Sequence, residues 1–146
     1  MAAWRAFVLA HARIARALEM ELQAAQGMSL ADYEVLLHLA RADERRLRMS
    51  EIAERMVFSR SGATRVVDRL QRSALVRRAS CESDRRGAWA QLTDAGYERF
   101  RKAAPTHLGG VARHFWDKIP PGDLDRLRRS LEVVADECRA ESQAPS

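Results

Sequence analysis

Arg60, Ser61, Thr64, Arg65, Asp68, Arg69 and Arg72 recur at intervals of three and four, so a helix over 59–73 would present them on one face. Guanidinium groups arrayed this way match phosphate oxygens and guanine edges bidentately, while hydroxyls bond base edges or phosphates. Two further arginine pairs follow, Arg77-Arg78 and Arg85-Arg86. The chemistry of such residues is non-covalent binding of a polyanion. Nothing points to bond-making: the chain has no glycine-rich phosphate loop, no CxxC pair, no HExxH and no GxSxG, and it is not expected to be an enzyme. The histidines His11, His38, His107 and His114 are scattered. His107 and His114 could share a helical face, but they lack the cysteine or paired carboxylates of a metal site, so no metal and no cofactor are expected.

Charge placement supports a polyanion partner. The 146 residues carry a formal net charge of +5, from 25 basic and 20 acidic side chains, and all but two of the basic residues are arginine. The positive charge is concentrated in a central island, where residues 55–86 hold 9 basic against 3 acidic side chains. The hydrophobic fraction of 47% and the length fit one domain with a real core. Uncharged runs reach only about ten residues, half of what a membrane span needs. The opening segment is interrupted by Arg5, His11, Arg13 and Arg16 and does not read as a signal peptide. Cys81 and Cys138 cannot make a disulfide framework, so a reducing, cytoplasmic setting without membrane association is expected.

The elements that must hold the arginine face follow from periodicity. Trp4, Phe7, His11, Ile14, Leu18 and Leu22 predict a first helix stopped by Gly27. Ser29 caps a second, with Asp32 in its first turn and Tyr33, Leu36, Leu37 and Ala40 inward. The run 41–48 reads as a loop or a frayed helix end, and Ser50 as the cap of a short helix burying Ile52, Ala53 and Met56. Ser59 caps the arginine helix, whose apolar stripe is Ala63, Val66, Val67 and Leu70. These two short helices form a helix-turn-helix pattern. The period then drops to about two: Leu75–Arg78 and Ala88–Leu92 predict strands around a polar turn, Ser80 to Gly87, forming a hairpin wing. Thr93 caps a long helix that Pro105 and Gly109-Gly110 should bend or break. Asp123 starts the last helix, in which Leu124, Leu127, Leu131, Val134 and Cys138 form a coiled-coil-like seam. That seam is left either for a second subunit or for the first helix; Cys138 reads as a small core residue on it. The expected fold is mainly α with a small β-hairpin wing, a winged helix-turn-helix plus a helical dimerisation region.

The run MSEIAERMVFSRSGATRVVDRLQRSALVRR, followed by SDRRGAWAQLTDAG, resembles the winged helix-turn-helix of the MarR family of bacterial transcription regulators. The marks are Val67-Asp68-Arg69-Leu70, Leu75-Val76-Arg77-Arg78, the wing signature Asp84-x-Arg86 and Leu92-Thr93-x-x-Gly96, in family order. The resemblance implies one MarR-type domain over 1–146, with a DNA-binding lobe at 30–93 and dimerisation helices at 1–28 and 94–146. It further implies a homodimer on double-stranded DNA, at a pseudo-palindromic operator with half-sites roughly 34–36 Å apart, acting in the first instance as a repressor. Each recognition helix, 59–73, would enter the major groove and each wing the minor groove.

Ser50, Ser59, Arg60, Ser61, Thr64 and Arg65 are then the candidates for base edges and nearby phosphates, with Arg65 assigned to guanine O6 and N7. Arg69 and Arg72 are assigned to phosphate or to Asp68, Arg77 and Arg78 to the DNA backbone, and Arg85 to DNA contact without a stated role. Arg86 is the family's minor-groove residue, held by Asp84. Where relatives end the recognition helix with glycine this chain has Ser73-Ala74, and alanine in a left-handed cap would be strained, so a different ending is expected. Family precedent also implies a small-molecule effector, with Trp4, His11, His38 and Trp116 as pocket candidates. Two alternatives stay open: a weakly specific architectural DNA-binding protein, and a redox-responsive regulator acting through Cys81, which lies among arginines that could stabilise a thiolate.

Overall fold

The computed structural model describes the backbone of residues 1–56, 59–81 and 84–143, and the side chains within those ranges except 80–87 and 139–143. The chain forms two compact units, Met1–Gly110 and Val111–Ser146.

In the first unit, α1 (Ala2–Gln26) ends on Gly27 in the left-handed conformation, as its sequence predicts. The Ser29 hydroxyl accepts the Asp32 N–H and caps α2 (Leu30–Arg41). The inward face of α2 is Tyr33, Val35, Leu36 and Leu39, all buried, whereas Leu37 and Ala40 are only half-buried. The helix is packed on more than one side, so its buried face is wider than a single stripe.

The run 41–48 is not a loop. A short 3-10 turn (Asp43–Arg45) leads into β1 (Arg46–Arg48), which pairs antiparallel with β3. Ser50 does not cap the next helix, α3 (Met49–Arg55). Its N-cap is Arg48, whose backbone N–H is accepted by Glu51 Oε2 at 2.7 Å. Strand pairing up to Arg48 moves the helix start forward, and Ser50 becomes an exposed first-turn residue. Ile52, Ala53 and Met56 are buried as predicted.

The arginine helix, α4 (Arg60–Arg72), is capped by the Ser59 hydroxyl accepting the Gly62 N–H at 3.1 Å, and it buries Ala63, Val66, Val67 and Leu70. It ends in a Schellman arrangement: Leu75 N–H bonds Leu70 C=O and Ala74 N–H bonds Gln71 C=O. Ala74 takes the left-handed position, φ 57°, so the ending expected to change is retained with a side chain in it. A Cβ there costs about 1–2 kcal/mol, partly offset because glycine loses more entropy on folding. Ala74→Gly is therefore expected to stabilise the chain by about 0.5–1 kcal/mol. The check is a higher urea midpoint at unchanged slope.

Strands β2 (Val76–Cys81) and β3 (Asp84–Leu92) are longer than their apolar patterns and take in much of the predicted polar turn. Backbone pairing continues out to Ser80 opposite Ala88 and Cys81 opposite Asp84. The sheet order is β1-β3-β2, all antiparallel. Its inner face, with Leu47, Val76, Ala90 and Leu92, closes the core over Leu36, Leu39, Ile52, Ala63, Val67 and Leu70.

Helix α5 (Asp94–His114) runs unbroken through Pro105 and Gly109-Gly110. Pro105 is exposed, so the carbonyl it leaves unpaired can be hydrated. Gly110 serves close packing: a Cβ there would meet Leu18 Cδ2 at 2.6 Å and Glu21 Oε2 at 2.7 Å.

In the second unit a 3-10 turn (Trp116–Lys118) precedes α6 (Pro121–Gln143). The last helix starts at Pro121, two residues before Asp123, because a proline at the first helical position gives up only an N–H that would lack a helical partner anyway. Phe115, Trp116, Leu124, Leu127, Leu131 and Ala135 line an open groove of about 640 Å³. Val134 and Cys138 are exposed, so Cys138 is no core residue of this chain. No described helix is long and apolar enough to cross a membrane, and among the described residues no cluster of His, Cys, Asp and Glu could hold a metal ion.

Candidate nucleic-acid interface

Helix α4 presents its polar face because its apolar stripe is anchored on α2, α3 and the sheet. Ser59, Arg60, Ser61, Thr64, Arg65, Arg69 and Arg72 are all exposed along it. The Ser59 and Ser61 hydroxyls lie 3.1 Å apart, forming a polar edge at the helix start. Thr64 donates its hydroxyl proton to Arg60 C=O at 2.9 Å, which leaves its methyl group and acceptor lone pairs for an outside contact. Among the described residues neither Arg60 nor Arg65 has an ion pair. Both can meet an external anion without first breaking an internal bridge.

Arg69, Arg77 and Arg78 are engaged. Arg69 bonds Asp32 on α2, not Asp68: its Nε lies 3.0 and 3.1 Å from the two carboxylate oxygens and Nη2 2.7 Å from Oδ1. This hydrogen-bonded carboxylate raises the Arg69 pKa above its ordinary value, against some loss of hydration. Asp68 is taken by Arg78, at 2.7 Å. Arg77 bonds Gln91 Oε1 through Nε and Nη2, at 3.1 and 2.8 Å. Arg72 makes a long bond to Asp68 C=O, 3.4 Å. The side chains of Cys81, Asp84, Arg85 and Arg86, and with them the proposed Asp84–Arg86 contact, lie outside the described residues.

Two arginines were missed in the sequence. Arg46 and Arg48 on β1 stand over the Trp89 indole, 5.1 and 5.2 Å from its centroid, on the sheet face opposite the core. Arg46 also pairs with Glu44. The available signal was Arg46-Leu47-Arg48 itself: Leu47 is buried between two exposed neighbours, the alternation of a strand.

The expected effector residues lie on α1, on α2 and in the second unit. Trp4 lines a shallow face of α1 with Arg5, Val8 and Leu9, and Trp116 lines the groove of the second unit. His11 stacks with Phe7 at 6.3 Å. His38 is half-buried on α2, where burial and then the charges of Arg55 and Arg41 lower its pKa.

His107, its ring 4.3 Å from Tyr33, is also lowered by burial. Both imidazoles therefore favour the neutral form in the folded chain, while in the unfolded chain they titrate near 6.5. As pH falls through that value the unfolded state gains protons first, and stability is lost until the lower folded values are reached. Glu34, raised by burial, has the opposite sign and acts in the carboxylate range. The urea midpoint is expected to fall between pH 7.5 and 5.5, and the fall to flatten in a His38→Gln/His107→Gln double variant. An undiminished fall in that variant would assign the titration elsewhere.

AbsC, a MarR family transcriptional regulator from Streptomyces coelicolor, superposes with a TM-score of 0.88 at 39% identity, over 95% of this chain and 93% of that one. The chain belongs to the MarR family. The MarR family model itself matches residues 26–87, from the end of α1 to the wing. Sco3205, a MarR family regulator of the same organism whose crystal structure is in complex with DNA, has a TM-score of 0.87 at 36% identity, over 99% of this chain and 87% of that one. The transcriptional repressor MprA of Escherichia coli is 27% identical over 105 residues, 72% of this chain and 59% of its own. The chain spans about three-fifths of the length of the first curated relatives it matches.

Proposed function

We propose that this MarR family chain is a homodimeric, sequence-specific DNA-binding transcription regulator that acts as a repressor at a pseudo-palindromic operator. The observation that carries the reading is the exposed face of α4, where Ser59, Ser61, Thr64 and two arginines without internal ion pairs among the described residues stand on a helix fixed by its buried stripe. In a major groove these side chains reach base edges, while the wing follows the adjacent minor groove. The DNA complex of Sco3205 supports the partner, and the naming of MprA supports repression.

A second subunit is supported by apolar surface that one chain leaves exposed. Trp4 and Leu9 on α1 are 64% and 50% exposed, and Val134 on α6 is 57% exposed. Residues 1–28 and 94–146 are the dimerisation helices in this reading. Release by a small-molecule effector belongs to it as well, on the family resemblance.

The test is selection from a random duplex library with the purified chain, then titration of the winner and of scrambled DNA at two salt concentrations. A two-fold symmetric motif bound on the order of 10³-fold above scramble is expected. Affinity that falls with salt but shows no enriched motif would replace this reading with the architectural one.

A further inference from the structure

Arg69 sits on the polar face of α4 between Arg65 and Arg72, yet its guanidinium is directed at α2. Asp32, its partner, has a side chain only 12% exposed and is the sole charged residue in the core among those described. Arg69 Nη2 also lies 3.4 Å from the Ser29 hydroxyl, the group that caps α2 through the Asp32 N–H. One residue along, Leu30 N–H is accepted by Glu19 Oε2 of α1 at 2.6 Å. Three helices thus meet in polar contacts at the N-terminus of α2.

The other contacts that hold α4 include its buried stripe, Ala63, Val66, Val67 and Leu70, and the Asp68–Arg78 pair, in which one guanidinium nitrogen meets one carboxylate oxygen at the surface. Apolar burial resists separation but is non-directional, so it leaves small rotations of the helix cheap. A guanidinium bonded to both oxygens of a carboxylate fixes distance and plane together. Readout of base edges needs placement within about 0.5 Å and 10–20°. We propose that Arg69 is a positioning residue, clamped by Asp32 so that α4 presents Arg60, Thr64 and Arg65 at the angle recognition requires, and that it is not a phosphate ligand. The inference rests on the DNA-binding function proposed above.

A carboxylate near DNA repels phosphate, so by charge alone Asp32→Asn would strengthen binding. The clamp predicts the reverse. The experiment uses the full chain, the operator obtained by selection and a scrambled duplex, over a salt series, with circular dichroism confirming the fold at the assay temperature. Asp32→Asn and Arg69→Gln are each expected to weaken operator binding about tenfold, and their combination no further, as for two ends of one interaction. The Arg69→Gln salt slope is expected to equal that of the unsubstituted chain, whereas loss of a phosphate ligand would lower it by about 0.9. Arg69→Lys keeps the charge but not the fork. It is expected to lose operator affinity at an unchanged slope, and it carries the test if the Asp32 variant does not fold.

Operator binding by Asp32→Asn or Arg69→Lys as tight as that of the unsubstituted chain, or a lowered slope in Arg69→Gln, overturns the clamp alone. An unsubstituted chain that selects no duplex overturns the DNA-binding function and the clamp with it.

Discussion

Replacing Gly96 with alanine is expected to destabilise the chain by about 3 kcal/mol or more, seen as a fall of about 10 °C in the thermal midpoint. A Cβ at this position would lie 2.0 Å from the Leu75 carbonyl oxygen, 2.9 Å from its carbon and 2.8 Å from Leu92 Cδ1. Two of those atoms are backbone, so no side-chain rotation relieves the clash. The Leu75 carbonyl is also tied down, accepting Thr93 N–H at 3.1 Å. The Thr93 hydroxyl accepts Gly96 N–H at 2.9 Å and donates to Ala74 C=O at 2.8 Å, joining the start of α5 to the exit of α4. Any shift that makes room for the methyl group disturbs that junction, with about 1 kcal/mol for each hydrogen bond lost. A loss below about 1 kcal/mol, by circular dichroism melting, would show that α5 can slide away without opening it.

Arg65→Ala is expected to weaken binding to the selected operator by about 10- to 100-fold, with a much smaller loss on scrambled DNA. Arg65 is exposed at mid-helix and, among the described residues, carries no ion pair, so its truncation removes an outside contact without breaking an inside one. A guanine contact concentrates the loss on one base pair, and substituting that pair should cost the unsubstituted chain as much as it costs the variant little. Equal losses on operator and scrambled duplex, with a slope lowered by about 0.9, would instead make Arg65 a phosphate ligand.

Most of the helices could be located from residue type alone, because their signals are local. Ser29, Ser59 and Thr93 cap their helices through their own hydroxyls, Gly27 closes α1, and the stripe Ala63, Val66, Val67 and Leu70 buries one side of α4. The polar face of α4 followed from the same periodicity, since a helix with one buried stripe exposes the other side. Boundaries set by pairing with distant residues were not legible. β1 exists because β3 offers it an edge more than forty residues later, and that pairing, not Ser50, decides where α3 begins. Pro105 and Gly110 looked like breaks, yet one is exposed and the other lets α5 approach α1.

The division is sharpest among the arginines. Composition and spacing determined that a basic helical face exists, of a kind suited to anion binding. Which arginines that face can offer was decided by tertiary structure. Asp32 lies 37 residues from Arg69, and only packing of α2 against α4 brings the two together, while Asp68 goes to Arg78 across the start of β2. A guanidinium forms charge-assisted, bidentate bonds with carboxylates and with phosphates, so its role depends on which anion the fold places within reach.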